Sequence, residues 1–335
     1  MPSILVAQIG ARRHYAVPVI LHRAGLLGCV ATDLTDRDLL ARCSGVLRFL
    51  GLGSFAKRIR DRKLKEIPSQ KVVSFPLYGL TRVVRRLMIS DPGRLRRHHA
   101  VANEWFAKLV GRMDLSQYDG VYVFNGAGLE IARVAKDKGL KVVVDQTSAP
   151  IETEEKLLAE ERARWKGWEA EPKDREGWRA LARREELEWE LADLIICGSE
   201  YVKHCLLEKG VDSAKIRVVH PGVPEWSLLE KSQPPEERSS NRNPVHVLFA
   251  GTLCLRKGIP YVVEAARALK GVAEFRVVGS NGLTRYGLEQ VTAWVEYCGF
   301  VPRSEMAAQY RWADIFLLPS LSEGSANVCF EALAA

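Results

Sequence analysis

Two observations predict an α/β chain built from two parallel-sheet units. Short apolar runs such as VYVF, KVVV, VLFA and IFLL end in polar, glycine- or proline-bearing turns and lead into segments rich in helix formers. The same strand-helix alternation stands on both sides of PEWSLLEKSQPPEERSSNRNP, whose Pro, Ser, Asn and Glu content reads as a linker. The expected organisation is a first domain over 1–222, a linker over 223–244 and a second domain over 245–335.

In chain order, Ile4 to Ile9 reads as a strand that ends at Gly10 and the loop ARRHYAVP. A helix from about Val17 to Ala24 and a strand near Gly28 to Ala31 complete a βαβ start. Gly10 allows close backbone approach to a ligand, but a single glycine is no dinucleotide fingerprint. From Asp119 the pattern gives strand VYVF, turn NGAG, helix LEIARVAKDKG and strand LKVVVDQ. Ile151 to Leu191 is helical and highly charged, broken near Pro172, with Trp165, Trp168, Trp178 and Trp189 read as packing anchors. Strand LADLIIC, helix YVKHCLLEKG and strand KIRVVHPGV close the first half.

The chain has 335 residues, 47% of them hydrophobic, enough for two real cores. Seven cysteines (Cys29, Cys43, Cys197, Cys205, Cys254, Cys298 and Cys329) include no CxxC pair, which argues against a zinc site or a disulfide framework and for a reducing cytoplasm. No apolar run reaches about 18 residues, and no cleavable leader is read at the start, so neither a membrane span nor secretion is expected. The net charge of +8 is concentrated: residues 42–97 hold 15 Lys and Arg against three acids, and the remainder is slightly acidic. Within that region VLRFLGLGSFAKRIRDRKLK fits a solvated helical arm, an interfacial helix on anionic lipid, or a nucleic-acid patch. The solvated arm is favoured over peripheral membrane contact, and nucleic acid is set aside because no recognition motif accompanies the charge.

The second half carries the chemistry. HVLFAGTLCLRKG is a buried strand running into a glycine turn, with Arg256 and Lys257 just before Gly258 and the helix IPYVVEAARALKG. Two cations at a helix start suit a diphosphate, Arg through its fork and Lys as a point charge. The order GxxxxGK[ST] is absent, so this is no Walker loop. Further on, ADIFLLPSLSEGSANVCFEALAA gives a strand stopped by Pro319, a polar turn and a helix, with Glu323 and Glu331 flanking the turn. If the segment between them is mostly helical, eight steps set the two carboxylates roughly 12 Å apart, about the reach of a sugar, diphosphate and ribose. A capping acid and a solvated helix residue account for the pair equally well at this stage.

FAGTLCLRKG, then VVGS, then GFVPRSEMAAQYRWADIFLLPSLSEGSANVCFEALAA resemble, in order and spacing, the C-terminal half of the retaining family 4 glycosyltransferases of GT-B fold. REELEWELADLIICGSEYVK and KIRVVHPGV resemble the close of that family's N-terminal domain, so the likeness runs from about Arg183 to the end. The resemblance implies two Rossmann-like domains facing a cleft, the second one incomplete because the family continues past the helix where this chain stops. It implies an enzyme that moves a sugar from a UDP- or GDP-linked donor to an acceptor hydroxyl with retention, without a metal or other cofactor. The acceptor stays open among a glycan, a lipid-linked molecule and a small molecule, and the compartment expected from the cysteines and the basic region is the cytoplasm, with peripheral contact at the inner face of the membrane as the alternative.

By the same resemblance, Glu323 faces the donor sugar, Glu331 holds the nucleotide ribose, and Lys257 with Arg256 meets the diphosphate. Ser325, Ala326 and Asn327 supply backbone amides, and Gly10 faces the phosphate from the first domain. Two departures stand out. Thr252 follows the strand glycine Gly251 where many members have arginine, and Asn125 follows the middle strand where several have histidine, leaving His14 as the candidate for that role. An epimerase or hydrolase of the same fold, and an inactive binding protein, are the competing readings.

Overall fold

The computed structural model describes residues 1–38, 62, 64, 66–89, 91–172, 175–220, 222, 244–302 and 305–335. The basic arm read at 46–65, apart from Arg62 and Leu64, and the linker read at 223–244, apart from Pro244, lie outside the described residues. By packing, the chain divides into two compact units, Met1–Glu152 with Pro172–Val219 and Thr153–Glu171 with His220–Ala335. Residues 153–171, which the sequence reading assigns to the first domain, therefore group with the second.

In the first unit, β1 (Ile4–Gln8), β2 (Leu27–Thr32), β3 (Val72–Ser74), β4 (Gly120–Phe124), β5 (Lys141–Gln146), β6 (Leu194–Cys197) and β7 (Ile216–Val218) form one parallel sheet ordered β3-β2-β1-β4-β5-β6-β7. Neighbouring residues of one strand enter opposite cores: Leu5, Ala7, Val121 and Val123 pack on one face, Val6, Tyr122 and Phe124 on the other. Burial on both faces is why these strands are continuous apolar runs and not alternating ones. Helices lie between the strands, several with their orphan amides met locally: Asp91 accepts from the Arg94 amide at 2.8 Å and Ser199 from the Val202 amide at 3.3 Å. The charged stretch after β5 is two helices, Ile151–Arg164 and Glu176–Leu191. Of the four tryptophans read as packing anchors, Trp178 and Trp189 are buried in this unit and Trp168 in the second, while Trp165 is half-buried.

In the second unit, β8 (Val245–Ala250), β9 (Ala273–Val278), β10 (Glu296–Gly299) and β11 (Ile315–Phe316) form a parallel sheet ordered β10-β9-β8-β11. Leu248, Ala250, Val278, Tyr310 and Ala313 make part of its core. In both sheets the chain order reverses once, between β1 and β4 and between β8 and β11. In open parallel sheets such reversals open a crevice at the carboxyl ends of the strands, where ligands bind. The final helix covers only Asn327–Ala334, so Glu323 stands in the preceding loop. The helical spacing assumed for Glu323 and Glu331 does not hold, because Ser322, Gly324 and Ser325 keep that segment in a turn. Among the described residues no helix is long and apolar enough to cross a membrane, no three-residue metal-ligand group occurs, and six cysteines are free thiols.

Candidate active site

At the reversal of the second sheet, the loops after β8 and β11 meet backbone to backbone. Gly258 has φ +71°, and a Cβ there would lie 2.0 Å from the Pro319 carbonyl oxygen. At the end of β9, a Cβ on Gly279 would lie 1.7 Å from the Gly251 oxygen. Only glycine lets these chains approach so closely. The Leu321 amide donates to the Arg256 carbonyl at 2.9 Å, and the Gly251 amide to that of Val278 at 2.9 Å.

This approach gathers three charges. Arg256 donates through Nη1 to Glu323 Oε1 at 3.0 Å and to the Ser322 carbonyl at 2.8 Å. Lys257 Nζ pairs with the same Glu323 oxygen. Arg256 also faces Glu154 at 3.9 Å, and the Leu255 amide donates to Glu169 at 2.6 Å, so residues 153–171 add two acids to the same loop. Burial opposes the Arg256 charge, but Glu323 and Glu154 outweigh it and raise the guanidinium above its ordinary range.

Glu331 lies one helix farther on, where the Tyr310 hydroxyl donates to Oε2 at 2.9 Å. Ala326 is the N-cap of that helix, and Ser325, Ala326 and Asn327 lead into it with no side chain capping the first-turn amides. Thr252 Oγ1 lies 3.2 Å from Ser280 Oγ.

Gly10 and His14 belong to the first unit. Gly10 has φ +73° and donates its amide to Asp33 Oδ1 at 2.8 Å. Asp33 is fully buried and also takes Arg62 at 2.8 Å and Arg82 at 3.1 Å. The turn Arg12–Tyr15 that follows holds Arg13, His14 and Tyr15 in the left-handed region, with φ 47°, 53° and 63°. Such a run costs roughly 1–2 kcal/mol per residue. Arg13 anchors it to buried Asp145 at 2.8 Å, while His14 is exposed. Asn125 is held within its own unit: it donates to Glu185 at 2.7 Å and accepts from Thr147 Oγ1 at 2.9 Å. Beside it, Glu188 accepts from the Gly126 and Gly128 amides at 2.6 and 2.8 Å, and burial pushes its carboxyl up to about 8.

Residues 244–335 match the family described as Glycosyl transferases group 1. Among curated relatives, the amylovoran biosynthesis glycosyltransferase AmsK of Erwinia amylovora is 30% identical over 145 residues, covering 41% of this chain and 34% of that protein. The putative colanic acid biosynthesis glycosyltransferase WcaL of Escherichia coli is 31% identical over 159 residues, covering 42% and 37%. The chain thus spans about a third of the length of these relatives. Among solved structures, Anabaena Alr3699/HepE in complex with UDP and glucose superposes with a TM-score of 0.54 at 12% identity, covering 100% of this chain and 78% of that one. A trehalose-6-phosphate synthase studied with bisubstrate glycomimetics gives 0.56 at 12% identity, covering 99% and 80%. The fold is therefore the α/β fold of the GT-B glycosyltransferases.

Of the sequence-predicted residues, the group 1 domain contains Gly251, Thr252, Arg256, Lys257, Glu323, Ser325, Ala326, Asn327 and Glu331. It brings Arg256, Lys257 and Glu323 into contact, sets Glu331 on Tyr310, and leaves Gly10 and His14 to the other unit. Sequence reading passed over Tyr310, Glu154, Glu169 and Asp33. Asp33 alone left a trace, as an acid at the end of the ATD strand.

Proposed function

We propose that the chain is a retaining glycosyltransferase that moves a sugar from a UDP- or GDP-linked donor to an acceptor hydroxyl without a metal. The observation that carries this reading is the Arg256–Lys257–Glu323 cluster at the sheet reversal of the group 1 domain. Lys257 and Arg256 bind the diphosphate, and Glu323, released from them when the phosphates arrive, turns to the donor sugar hydroxyls. Glu331, oriented by Tyr310, holds the ribose. The amides at Ser325, Ala326 and Asn327, with Gly251 and Thr252, line the phosphate. The first unit provides the acceptor side and carries two assigned residues, Gly10 for the phosphate and His14 for catalysis.

The chemistry follows from charge. As the glycosidic bond breaks, negative charge grows on the leaving nucleoside diphosphate, and cations already in position stabilise it without reorganisation. The acceptor hydroxyl attacks on the face the diphosphate leaves, which retains configuration. The expected compartment is the cytoplasm.

Calorimetry with UDP and GDP, and product analysis with their sugars, test this. Binding of one diphosphate, weakened at least tenfold in Lys257→Ala, together with sugar transfer to an acceptor is the expected result. Epimerised or hydrolysed donor as the sole product would make the protein an enzyme of another class. Binding of neither nucleotide would make it a binding protein.

A further inference from the structure

The helix Pro76–Leu87 presents an unusual pair of faces. Its inward side is seated in the first unit: Tyr78 is buried, a Cβ on Gly79 would lie 2.5 Å from the Leu34 side chain, and Arg82 reaches buried Asp33. Its outward side is apolar. Leu77 is 79% exposed, Val84 45%, Leu87 63% and Met88 81%. At about 100° per residue, Leu77, Val84 and Met88 fall within about 40° of one another, so they form a stripe and not scattered single residues.

The surroundings are cationic. Residues 76–97 hold six arginines and one acid, Asp91. Arg82 is paired with Asp33, Arg96 lies 3.1 Å over the Trp178 ring and Arg97 pairs with Glu176, while Arg85, Arg86 and Arg94 stand exposed. The field is felt nearby. Burial, with Arg82, His98, Arg86 and Arg96, drives the His99 imidazole down to about 4. On the next helix, Pro92–Gly111, Val101 and Trp105 one turn apart are exposed as well, and Trp105 meets the Tyr78 ring edge-on at 5.0 Å.

We propose that this face docks the protein on an anionic lipid surface, with Leu77, Val84, Leu87 and Met88 entering the acyl boundary and Arg85, about 80° round the helix from Leu77, meeting lipid phosphates. An apolar stripe bordered by Arg85, in a region with an excess of arginine, matches an interface that is apolar below and negative above. A protein partner with an apolar patch would satisfy the stripe but leave the arginine excess without counter-charge. The sequence reading spread a lipid contact over 42–97, and the contact proposed here uses the described helix Pro76–Leu87 within that range. The proposal is independent of the donor-site reading.

The test is sedimentation of the full chain with vesicles of phosphatidylcholine, with and without phosphatidylglycerol. Binding is expected on the anionic vesicles only, falling steeply with added salt. Leu77→Asp with Met88→Asp should lower it at least tenfold, and Arg85→Gln by roughly fivefold, more than Arg86→Gln on the opposite side of the helix. All four positions are exposed, so the melting temperature and UDP or GDP binding, scored on the same samples, should stay unchanged. Three results would overturn the proposal: no preference for anionic vesicles, wild-type vesicle binding by the Leu77 and Met88 variant, or a dimer in light scattering that this variant abolishes in place of lipid binding.

Discussion

Arg256 and Glu323 share a hydrogen bond of 3.0 Å, and the same Glu323 oxygen also pairs with Lys257. Two cations proposed to grip a diphosphate are thus partly neutralised by the carboxylate proposed to serve the sugar. Glu323→Gln removes that counter-charge. The expected outcome is nucleotide binding equal to or tighter than wild type by calorimetry, with transfer reduced at least tenfold. Unchanged transfer would remove Glu323 from the reaction.

Tyr310 is buried, and its hydroxyl donates to Glu331. Tyr310→Phe deletes that single bond and little volume. Nucleotide dissociation constants should rise about 2- to 10-fold, the worth of one hydrogen bond, with a small change in melting temperature. Weakened nucleotide binding in Glu331→Ala with no effect from Tyr310→Phe would show that Tyr310 does not orient the acid.

Glu188 is fully buried and its folded-state carboxyl sits near 8, against an ordinary 4.5 when unfolded. Between these two values the native state holds a proton that the unfolded chain has lost. Stability should therefore be highest below pH 4.5 as far as this group is concerned, and fall as pH rises toward 8, by up to ~1.4 kcal/mol per pH unit. Urea titrations of wild type and Glu188→Gln across that window check the sign. The variant should lack this component of the slope.

Gly258 and Gly139 both have left-handed φ, +71° and +72°, yet a Cβ on Gly139 meets nothing within 4 Å. Gly139→Ala should cost about 1 kcal/mol, the strain alone. Gly258→Ala adds the collision with the Pro319 carbonyl and should cost at least ~2 kcal/mol more, with loss of nucleotide binding as the two loops separate. Equal effects would mean that the close approach carries no weight.

The strands were readable because a strand buried on both faces is a continuous apolar run, as in Val121–Phe124 and Val247–Ala250. Arg256, Lys257 and Glu323 were readable as charged residues at strand ends. Their mutual contact was not, since it depends on β8 and β11 lying side by side, a fact of strand order over 66 residues of separation. The same holds for Asp33, whose arginine partners are 29 and 49 residues away. The contacts of Glu154 and Glu169 with the Leu255–Lys257 loop were not legible for the same reason, since they join positions far apart along the chain.

The grouping of residues 153–171 with residues 220–335 makes the second unit discontinuous along the chain. On a ribosome, which delivers residues in order, Thr153–Glu171 emerges well before β8 exists and must wait while the remaining strands of the first sheet are synthesised. The unit that carries Arg256 and Lys257 is consequently completed after the first. Expressed as residues 244–335 alone, it would lack the acid that receives the Leu255 amide, so the donor loop would begin its life with one anchor missing.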